Sequence, residues 1–306
     1  MGLGALIPVA IALATAPAPA PAPPADDLAG LSTRQKAALV VVSGLPAPAG
    51  VAGVLVRRWD RTEPRPPGAL VFVDQEGGGV LAYPDLPPAK DARDLRTPAE
   101  AAASGRAAGR ALRAAGVHVD LAPVLDLASG PLGPRHFTRP ELGLAFARGL
   151  ERGGVAACPK HFPGLGSAPV STDDDRLVRA RVLAAEVRAF RTAVREGARC
   201  IMVSHAAYER FGGRRGATSP GVYRFLRALG FDGVAITDSL GIVGGPWPVK
   251  WAREAALAGA DLLLFTSPAD ARRAVRALLP LARRGVLDEA VRRVIRLRES
   301  LGLTPP

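Results

Sequence analysis

Short runs of β-branched and aliphatic residues alternate with longer Ala-, Leu- and Arg-rich segments along the chain from Leu31 onward. This alternation is typical of β/α units, in which helices connect parallel strands. Several runs, such as LVVVS, ALVFV and DLLLF, are apolar at nearly every position, as expected for strands that are covered on both faces. Eight runs are predicted to be strands, at 38–43, 50–56, 69–73, 117–122, 155–160, 200–204, 233–237 and 261–265.

The eight strands predict an α/β fold of the TIM-like (β/α)8 barrel type, and a doubly wound open sheet is the alternative. With 306 residues, of which 48% are apolar, the chain is long enough to bury one large core. The segment 57–68 contains Pro64, Pro66 and Pro67, so we expect the helix between strands 2 and 3 to be missing. Helices are predicted at 97–115, 139–152, 182–195, 221–229, 249–258, 270–284 and 288–300.

The first 27 residues have a different composition from the rest of the chain. The apolar run at 3–16 is too short to span a membrane and has the length of the apolar region of a signal peptide. The sequence APAPAPAPP that follows is typical of an extended spacer. We therefore expect a signal-like segment at 1–27, a single barrel domain at 28–306, and an exported or cell-envelope protein. Because no basic residue precedes the apolar run, a cytoplasmic protein is the alternative.

The net charge of +12 would suit a polyanion if the basic residues were clustered. They are instead scattered along the predicted helices, so we expect no nucleic-acid partner. Cys158 and Cys200 stand far apart in the sequence and form no metal-ligand pattern. Neither a metal nor a cofactor is expected, and the sequence leaves open both the pairing of the two cysteines and the oligomeric state.

Polar residues follow the apolar runs directly. Because the carboxyl ends of parallel strands meet at one rim of a barrel, we expect these side chains to converge there. Carboxylates accept hydrogen bonds from pairs of hydroxyl groups, and Lys and His donate to ring substituents, so this set suits a polyhydroxylated ligand. The residues are Asp74, Gln75, Glu76, Asp126, Lys160, His161, Ser204, His205 and Asp238.

Six motifs in order carry a resemblance to a known family. They are DQEGGGV at 74–80, LAPVLDL at 121–127, KHFPGLG at 160–166, SHAAY at 204–208, ITDSLGI at 236–242 and EAALAGADLLLF at 254–265. Together they resemble the N-terminal catalytic barrel of glycoside hydrolase family 3, above all its single-domain bacterial β-N-acetylglucosaminidases. The resemblance covers roughly residues 31–302.

The resemblance implies a retaining mechanism in which Asp238 is the nucleophile and forms a covalent glycosyl-enzyme intermediate. It also implies that Asp74, Lys160 and His161 hold the hydroxyl groups of one sugar ring. Arg135, in the segment GPRHF, and His205, at a strand end, are expected to contact the same sugar. For His205, as for Asp126, a role in bracing loops is the alternative.

The chain departs from the family in the loop after KHFPG. Single-domain members carry a His next to this motif and then an Asp-Ser-His stretch, whose His is the general acid/base. Here Leu165, Ser171 and Asp173 stand at these three positions. Two-domain members supply a Glu from a second domain, which this chain is expected to lack. Asp173, with Asp174 or Asp175 beside it, is the replacement acid that we predict. The alternative is that these acidic residues cap the following helix.

A second departure concerns the DQEGG motif. Family members usually continue it as RVxR, whereas Gly79 and Ala82 replace the two arginines here. The leading interpretation is a retaining β-glycosidase that acts on β-N-acetylglucosaminides such as cell-wall fragments. The alternative is a catalytically impaired barrel that binds glycans. A serine hydrolase that uses Ser204 is disfavoured, because no G-x-S-x-G motif is present.

Overall fold

The computed structural model of the protein describes residues 28–174, 177–241 and 248–304. The predicted signal segment 1–27 and Asp175 lie outside the described residues. Thirteen strands are described: β1 (Val41–Ser43), β2 (Gly53–Leu55), β3 (Leu70–Val73), β4 (Gln75–Gly77), β5 (Val80–Leu81), β6 (Val119–Asp120), β7 (Ala156–Ala157), β8 (Arg179–Ala180), β9 (Cys200–Val203), β10 (Ala207–Tyr208), β11 (Arg214–Arg215), β12 (Val234–Thr237) and β13 (Leu263–Phe265).

Eight of these strands form the parallel framework. Six of them pair in the order β13-β1-β2-β3-β6-β7, so the last strand of the chain lies beside the first. β9 and β12 form a separate parallel pair. Single bridges, from Phe162 to Val203 and from Ile236 to Leu262, connect this pair to its two neighbours. The architecture is a TIM-like α/β fold, as predicted.

Eight helices lie in the described part of the chain: α1 (Thr33–Ala38), α2 (Pro98–Ala114), α3 (Pro140–Arg152), α4 (Ala184–Arg195), α5 (Pro220–Ala228), α6 (Pro248–Ala258), α7 (Pro268–Arg283) and α8 (Asp288–Ser300). Local sequence explains several of their starts. Proline occupies the first turn of α2, α3, α5 and α7, where its missing N–H costs no hydrogen bond. Thr97 and Ser267 accept hydrogen bonds from the first turns of α2 and α7.

The structure corrects some predicted boundaries. The run predicted as a strand at 38–43 begins in the last residue of α1, and only Val41–Ser43 is a strand. A capping box between Ser32 and Gln35 starts this helix, which was not among the predicted helices. Residues 56–69, between β2 and β3, contain turns and loop and no helix.

Cys158 and Cys200 form a disulfide, which answers the question that the sequence left open. Their Cα atoms lie 4.6 Å apart, and both side chains are fully buried. They belong to a buried cluster in which side chains of the parallel strands meet the apolar face of α8. In the described residues, no helix is long and apolar enough to cross a membrane.

Candidate active site

A cavity of about 270 Å³ lies at the carboxyl ends of the parallel strands. Asp74 follows β3, Lys160 and His161 follow the segment after β7, and Asp238 follows β12. Five of the nine strand-end residues expected to converge line this cavity, namely Asp74, Glu76, Lys160, His161 and Asp238. The polar residues that line the cavity are Asp74, Glu76, Arg135, Lys160, His161, Ser171, Thr172, Asp173, Asp238, Ser239 and Thr266.

Lys160 is the centre of a buried charge cluster on one wall of the cavity. Its ammonium nitrogen lies 2.6 Å from Oδ1 of Asp74 and 2.5 Å from Oε1 of Glu76. Arg135 donates from Nε and Nη2 to the two oxygens of Glu76, at 2.7 and 2.8 Å. Burial alone would raise the pKa of Glu76, but the positive charges of Lys160 and Arg135 outweigh it and lower the pKa to about 2. Glu76, Lys160 and Arg135 are thus charged near neutral pH.

Asp120, at the end of β6, lies beneath this cluster and is fully buried. Its Oδ1 accepts a hydrogen bond from the backbone N–H of Gln75 at 2.9 Å, and Oδ2 has no partner among the described residues. Burial raises the pKa of Asp120 well above its usual value, and the negative charges of Asp74 and Glu76 add to the effect. Burial thus favours the protonated form of Asp120, whose carboxyl group supports the backbone that leads into the Asp74 motif.

Asp238 is held in its ionised form at the floor of the cavity. Its Oδ1 accepts a hydrogen bond from the backbone N–H of Ser239 at 2.7 Å. Burial raises its pKa, but His205, His161 and the Ser239 hydrogen bond outweigh this effect, so the net pKa lies below the usual value. An ionised carboxylate in a partly closed cavity can attack an electrophilic carbon or stabilise positive charge on it.

Asp173 lines the same cavity from the loop that precedes β8. Partial burial raises its pKa, and the negative charge of Asp238 raises it further. The two carboxyl groups are thus shifted in opposite directions, with the proton favoured on Asp173 and disfavoured on Asp238. A pair of carboxyl groups shifted in this way can divide the roles of acid and nucleophile.

His161 is oriented by Asp126, which does not line the cavity. The ring of His161 donates from Nδ1 to Oδ2 of Asp126 at 2.6 Å, so Nε2 is the ring nitrogen left for a ligand. Oδ1 of Asp126 accepts hydrogen bonds from the backbone N–H groups of His161 and Leu165. Of the two roles left open for Asp126, the structure supports the bracing of loops.

His205 occupies a different place from the sugar contact that we expected. Its side chain is buried and does not line the cavity. Nε2 donates to the backbone carbonyl of Ser239 at 2.8 Å. His205 thus braces the backbone beside Asp238, which is the alternative role left open for it. The other predicted site residues, Asp74, Arg135, Lys160, His161, Asp173 and Asp238, do line the cavity.

Glu186 is a buried acidic residue that braces the loops beside the site, and the sequence pattern did not indicate this role. Its Oε1 accepts hydrogen bonds from the backbone N–H groups of Gly166, at 2.6 Å, and Leu127, at 3.1 Å. Burial raises its pKa to about 7, and Asp126 contributes further. A Cβ atom on Gly164, whose φ is +127°, would lie 2.2 Å from the Glu186 carboxyl carbon. The glycines of KHFPGLG therefore make room for this carboxyl group, and their spacing was the available signal.

Ser204 is also fully buried, and its hydroxyl accepts a hydrogen bond from the backbone N–H of Ala206. It does not line the cavity, which argues further against a serine nucleophile. Within the described ranges, no group of three or more His, Cys, Asp or Glu side chains is arranged to hold a metal ion.

Comparison with known proteins agrees with this geometry. A Methylococcus capsulatus protein named beta-hexosaminidase is 34% identical over 229 residues, which cover 67% of this chain and 69% of the relative. A β-N-acetylhexosaminidase structure from Beutenbergia cavernae has a TM-score of 0.77 at 28% identity, and the match covers 88% of this chain and 99% of that one. A Paenibacillus family 3 β-N-acetylglucosaminidase has a TM-score of 0.80 at 26% identity, with 89% and 63% covered.

Residues 56–297 match the glycosyl hydrolase family 3 N terminal domain. This match spans most of the chain and includes every residue that lines the candidate active site except Leu55. The resemblance inferred from the six motifs is thereby confirmed. The chain belongs to glycosyl hydrolase family 3, through its N-terminal domain, and is a glycoside hydrolase of that family.

Proposed function

We propose that the protein is a retaining β-glycosidase that hydrolyses β-N-acetylglucosaminides. The observation that carries the proposal is that Asp238 and Asp173 line one cavity with their pKa values shifted in opposite directions. Asp74, Lys160, His161 and Arg135 line the same cavity and supply acceptors and donors for the hydroxyl groups of one sugar. The names of the β-hexosaminidase relatives support the N-acetylglucosamine part of the proposal.

The reaction proceeds in two steps. In the first, a carboxylate oxygen of Asp238 forms a bond to the anomeric carbon while the bond from that carbon to the leaving oxygen breaks, and Asp173 gives its proton to the leaving oxygen. In the second, water attacks the anomeric carbon, its proton passes to Asp173, and the bond to Asp238 breaks. Asp238 returns as a carboxylate and Asp173 as an acid, so the cycle is balanced.

Asp173 stands where family members carry a catalytic His, and this replacement favours a second candidate function. In that alternative, the barrel binds glycans and cleaves them poorly. The ionised state of Asp238 argues for the enzyme, since a binding protein has no need of a nucleophile there.

Trapping of the intermediate tests the proposed function. A 5-fluoro N-acetylglucosaminyl fluoride forms the glycosyl-enzyme and slows its hydrolysis, so the intact protein should gain the mass of one sugar. Peptide mapping should place this mass on Asp238, and Asp238→Asn should gain none. A label on another residue, or tight binding of N-acetylglucosamine by a protein that is never labelled, would refute the proposal.

We also propose that residues 28–306 form one closed (β/α)8 barrel that lacks the helix between strands 2 and 3. The single bridges at Val203 and Leu262 and the pairing of β13 with β1 support this arrangement. Export to the cell envelope, with a role in peptidoglycan turnover, is a further proposal. The buried disulfide supports it, because disulfides persist in oxidising compartments. N-terminal sequencing of the mature protein from its host should begin after the apolar run.

A further inference from the structure

One wall of the candidate active site is a single stretch of chain that leads to Asp173. Leu165, Ser171, Thr172 and Asp173 all line the cavity. We call residues 165–174 the acid loop, since they carry the proposed acid. Downstream of this loop, the chain returns to the framework at α4. The place of Asp173 in the cavity therefore depends on how the start of the acid loop is held relative to α4.

Glu186, in the first turn of α4, connects the start of the acid loop to this helix. Its side chain is fully buried, and Oε1 accepts a hydrogen bond from the backbone N–H of Gly166 at 2.6 Å. The same oxygen accepts a second hydrogen bond from the N–H of Leu127, next to Asp126, at 3.1 Å. One carboxyl group thus joins three segments: the helix after the acid loop, the start of the loop, and the segment that carries Asp126.

Gly166 is bonded through both of its backbone polar groups. Its N–H donates to Glu186, and its carbonyl oxygen accepts a hydrogen bond from the hydroxyl of Ser129 at 2.7 Å. Next along the loop, Oγ of Ser167 accepts a hydrogen bond from the N–H of Arg181 at 2.6 Å, which closes the loop a second time before α4. A Cβ atom at position 166 would lie only 2.7 Å from Oε1 of Glu186. The contact therefore depends on the missing side chain of Gly166 as well as on the carboxyl group.

The burial of Glu186 costs free energy that an apolar side chain would not. Oε2 has no hydrogen-bond partner among the described residues, and burial raises the pKa of the group to about 7. A buried polar atom without a partner is destabilising. The two hydrogen bonds to Oε1, in contrast, fix a backbone geometry that an apolar side chain of the same size would leave free. Glu186 does not line the cavity, so it can affect the reaction only through the loop that it holds.

We propose that Glu186 is a positioning residue, which holds the acid loop where Asp173 reaches the leaving oxygen. This inference rests on the proposed function and adds to it a residue that does not touch the substrate. Because Glu186 acts through Asp173, its removal affects proton donation and leaves the attack by Asp238 intact. Displacement of a reacting group by about 1 Å lowers a rate by as much as about 100-fold. The consequence is a loss of activity that grows as the leaving group becomes poorer.

Two substrates with different leaving groups test the proposal: the methyl and the dinitrophenyl β-glycosides of N-acetylglucosamine. Glu186→Ala should lower kcat/KM for the methyl glycoside by about 10- to 100-fold and change that for the dinitrophenyl glycoside little. Glu186→Gln keeps an oxygen for both N–H groups and should retain most of the activity on both substrates. In the Asp173→Asn background, Glu186→Ala should add no further loss on the methyl glycoside, because the effects of residues that act through one group are not additive.

Glu151→Ala is the matched control. Glu151, on α3, also accepts a hydrogen bond from a backbone N–H of the framework, that of Ala157 in β7, but it is not among the residues that line the candidate active site. Its removal should leave the ratio of kcat/KM for the two glycosides unchanged. Where Glu186→Ala does not fold, Glu186→Leu fills the same space without an acceptor and takes its place.

Equal losses of Glu186→Ala on the two glycosides, or losses that add to those of Asp173→Asn, would overturn the positioning role. Failure of the wild-type protein to cleave either glycoside, or equal losses in Asp173→Asn, would refute the proposed function instead. Hydrogen exchange then still decides whether Glu186 holds the loop. Peptides that cover 165–174 should exchange faster in Glu186→Ala than in the wild type and Glu186→Gln, while peptides from α8 exchange alike. Equal exchange of the acid loop in all three proteins would overturn the inference.

Discussion

The ammonium group of Lys160 lies 2.5 Å from Oε1 of Glu76, and the two side chains are only 2% and 3% exposed. A buried ion pair of this kind places a fixed positive charge at the wall of the cavity. Asp74 and Arg135 extend the pair into a cluster of two cations and two anions. The pKa values of Glu76 and Lys160 depend on the neighbouring charges in this cluster, so removal of one charge changes the electrostatics of the whole site.

Glu76→Gln should lower the free energy of unfolding by about 3–5 kcal/mol, because it leaves Lys160 and Arg135 with one buried negative partner fewer. Urea denaturation at pH 7 measures this change. Glu63→Gln, at an exposed Glu on the loop after β2, is the control and should change stability by less than about 0.5 kcal/mol. Equal stabilities of the two variants would contradict the importance of the buried cluster.

The contribution of Glu76 should disappear in acid. Its pKa of about 2 in the folded protein lies below the value of 4.5 for an unperturbed Glu. A lowered pKa gives stability that is present above pH 4.5 and is lost as the pH falls toward 2. The difference in stability between wild type and Glu76→Gln should therefore narrow over this interval. A difference that stays constant from pH 5 to 2 would show that Glu76 is not ionised in the folded state.

Glu186 should have the opposite effect on the pH dependence of stability. Its pKa is about 7 in the folded protein, above the value of 4.5 for an unperturbed Glu. As the pH rises, Glu186 therefore loses its proton in the unfolded chain before it does so in the folded protein. Stability is fully present below pH 4.5 and falls as the pH rises to 7, by up to about 3 kcal/mol. Glu186→Gln keeps an acceptor for Gly166 and Leu127 and should remove this fall. Glu63→Gln should retain it, and a wild-type stability that is flat between pH 4.5 and 7 would contradict the raised pKa.

Asp173→Asn should reveal the role of the acid through its dependence on the leaving group. Proton donation contributes about 100- to 10,000-fold when the leaving group is poor and little when it is good. The variant should therefore lose activity on alkyl N-acetylglucosaminides and retain most of the first step on dinitrophenyl ones. Asp174→Asn, next to it but outside the cavity lining, is the control. Equal losses on all leaving groups would argue against acid catalysis by Asp173.

Activity should also decline at high pH as Asp173 loses its proton. Because burial and Asp238 raise the pKa of Asp173, the decline should begin at a higher pH than for an ordinary aspartic acid. The pH profile of kcat/KM measures the free enzyme. In Asp173→Asn this alkaline limb should disappear, and its persistence there would assign the limb to another group.

The disulfide between Cys158 and Cys200 closes a separation of 42 residues within the buried core. Its loss by reduction should lower the free energy of unfolding by about 2–4 kcal/mol. Thiol titration of the denatured protein should find no free cysteine before reduction. Oxidised and reduced protein with the same denaturation midpoint would contradict a stabilising role.

The amino-acid sequence by itself determined the secondary-structure pattern, the family and the polar residues of the strand ends. The runs 69–73 and 261–265 are apolar on both faces, and Asp74 and Asp238 follow apolar strands directly, so local pattern was enough to find them. Asp173 could be named because it stands at a position where the family carries a functional residue. These features depend on residues that are neighbours in the chain.

Only the tertiary structure decided which groups meet and with what charge. Glu76 joins Lys160 across 84 positions of sequence, and Glu186 reaches the KHFPGLG loop from the buried face of α4. His205, which follows a strand as Asp238 does, is buried behind the site instead of lining it. Burial, hydrogen bonding and the shift of a pKa arise from atoms brought together by folding, so no local pattern in the sequence contains them.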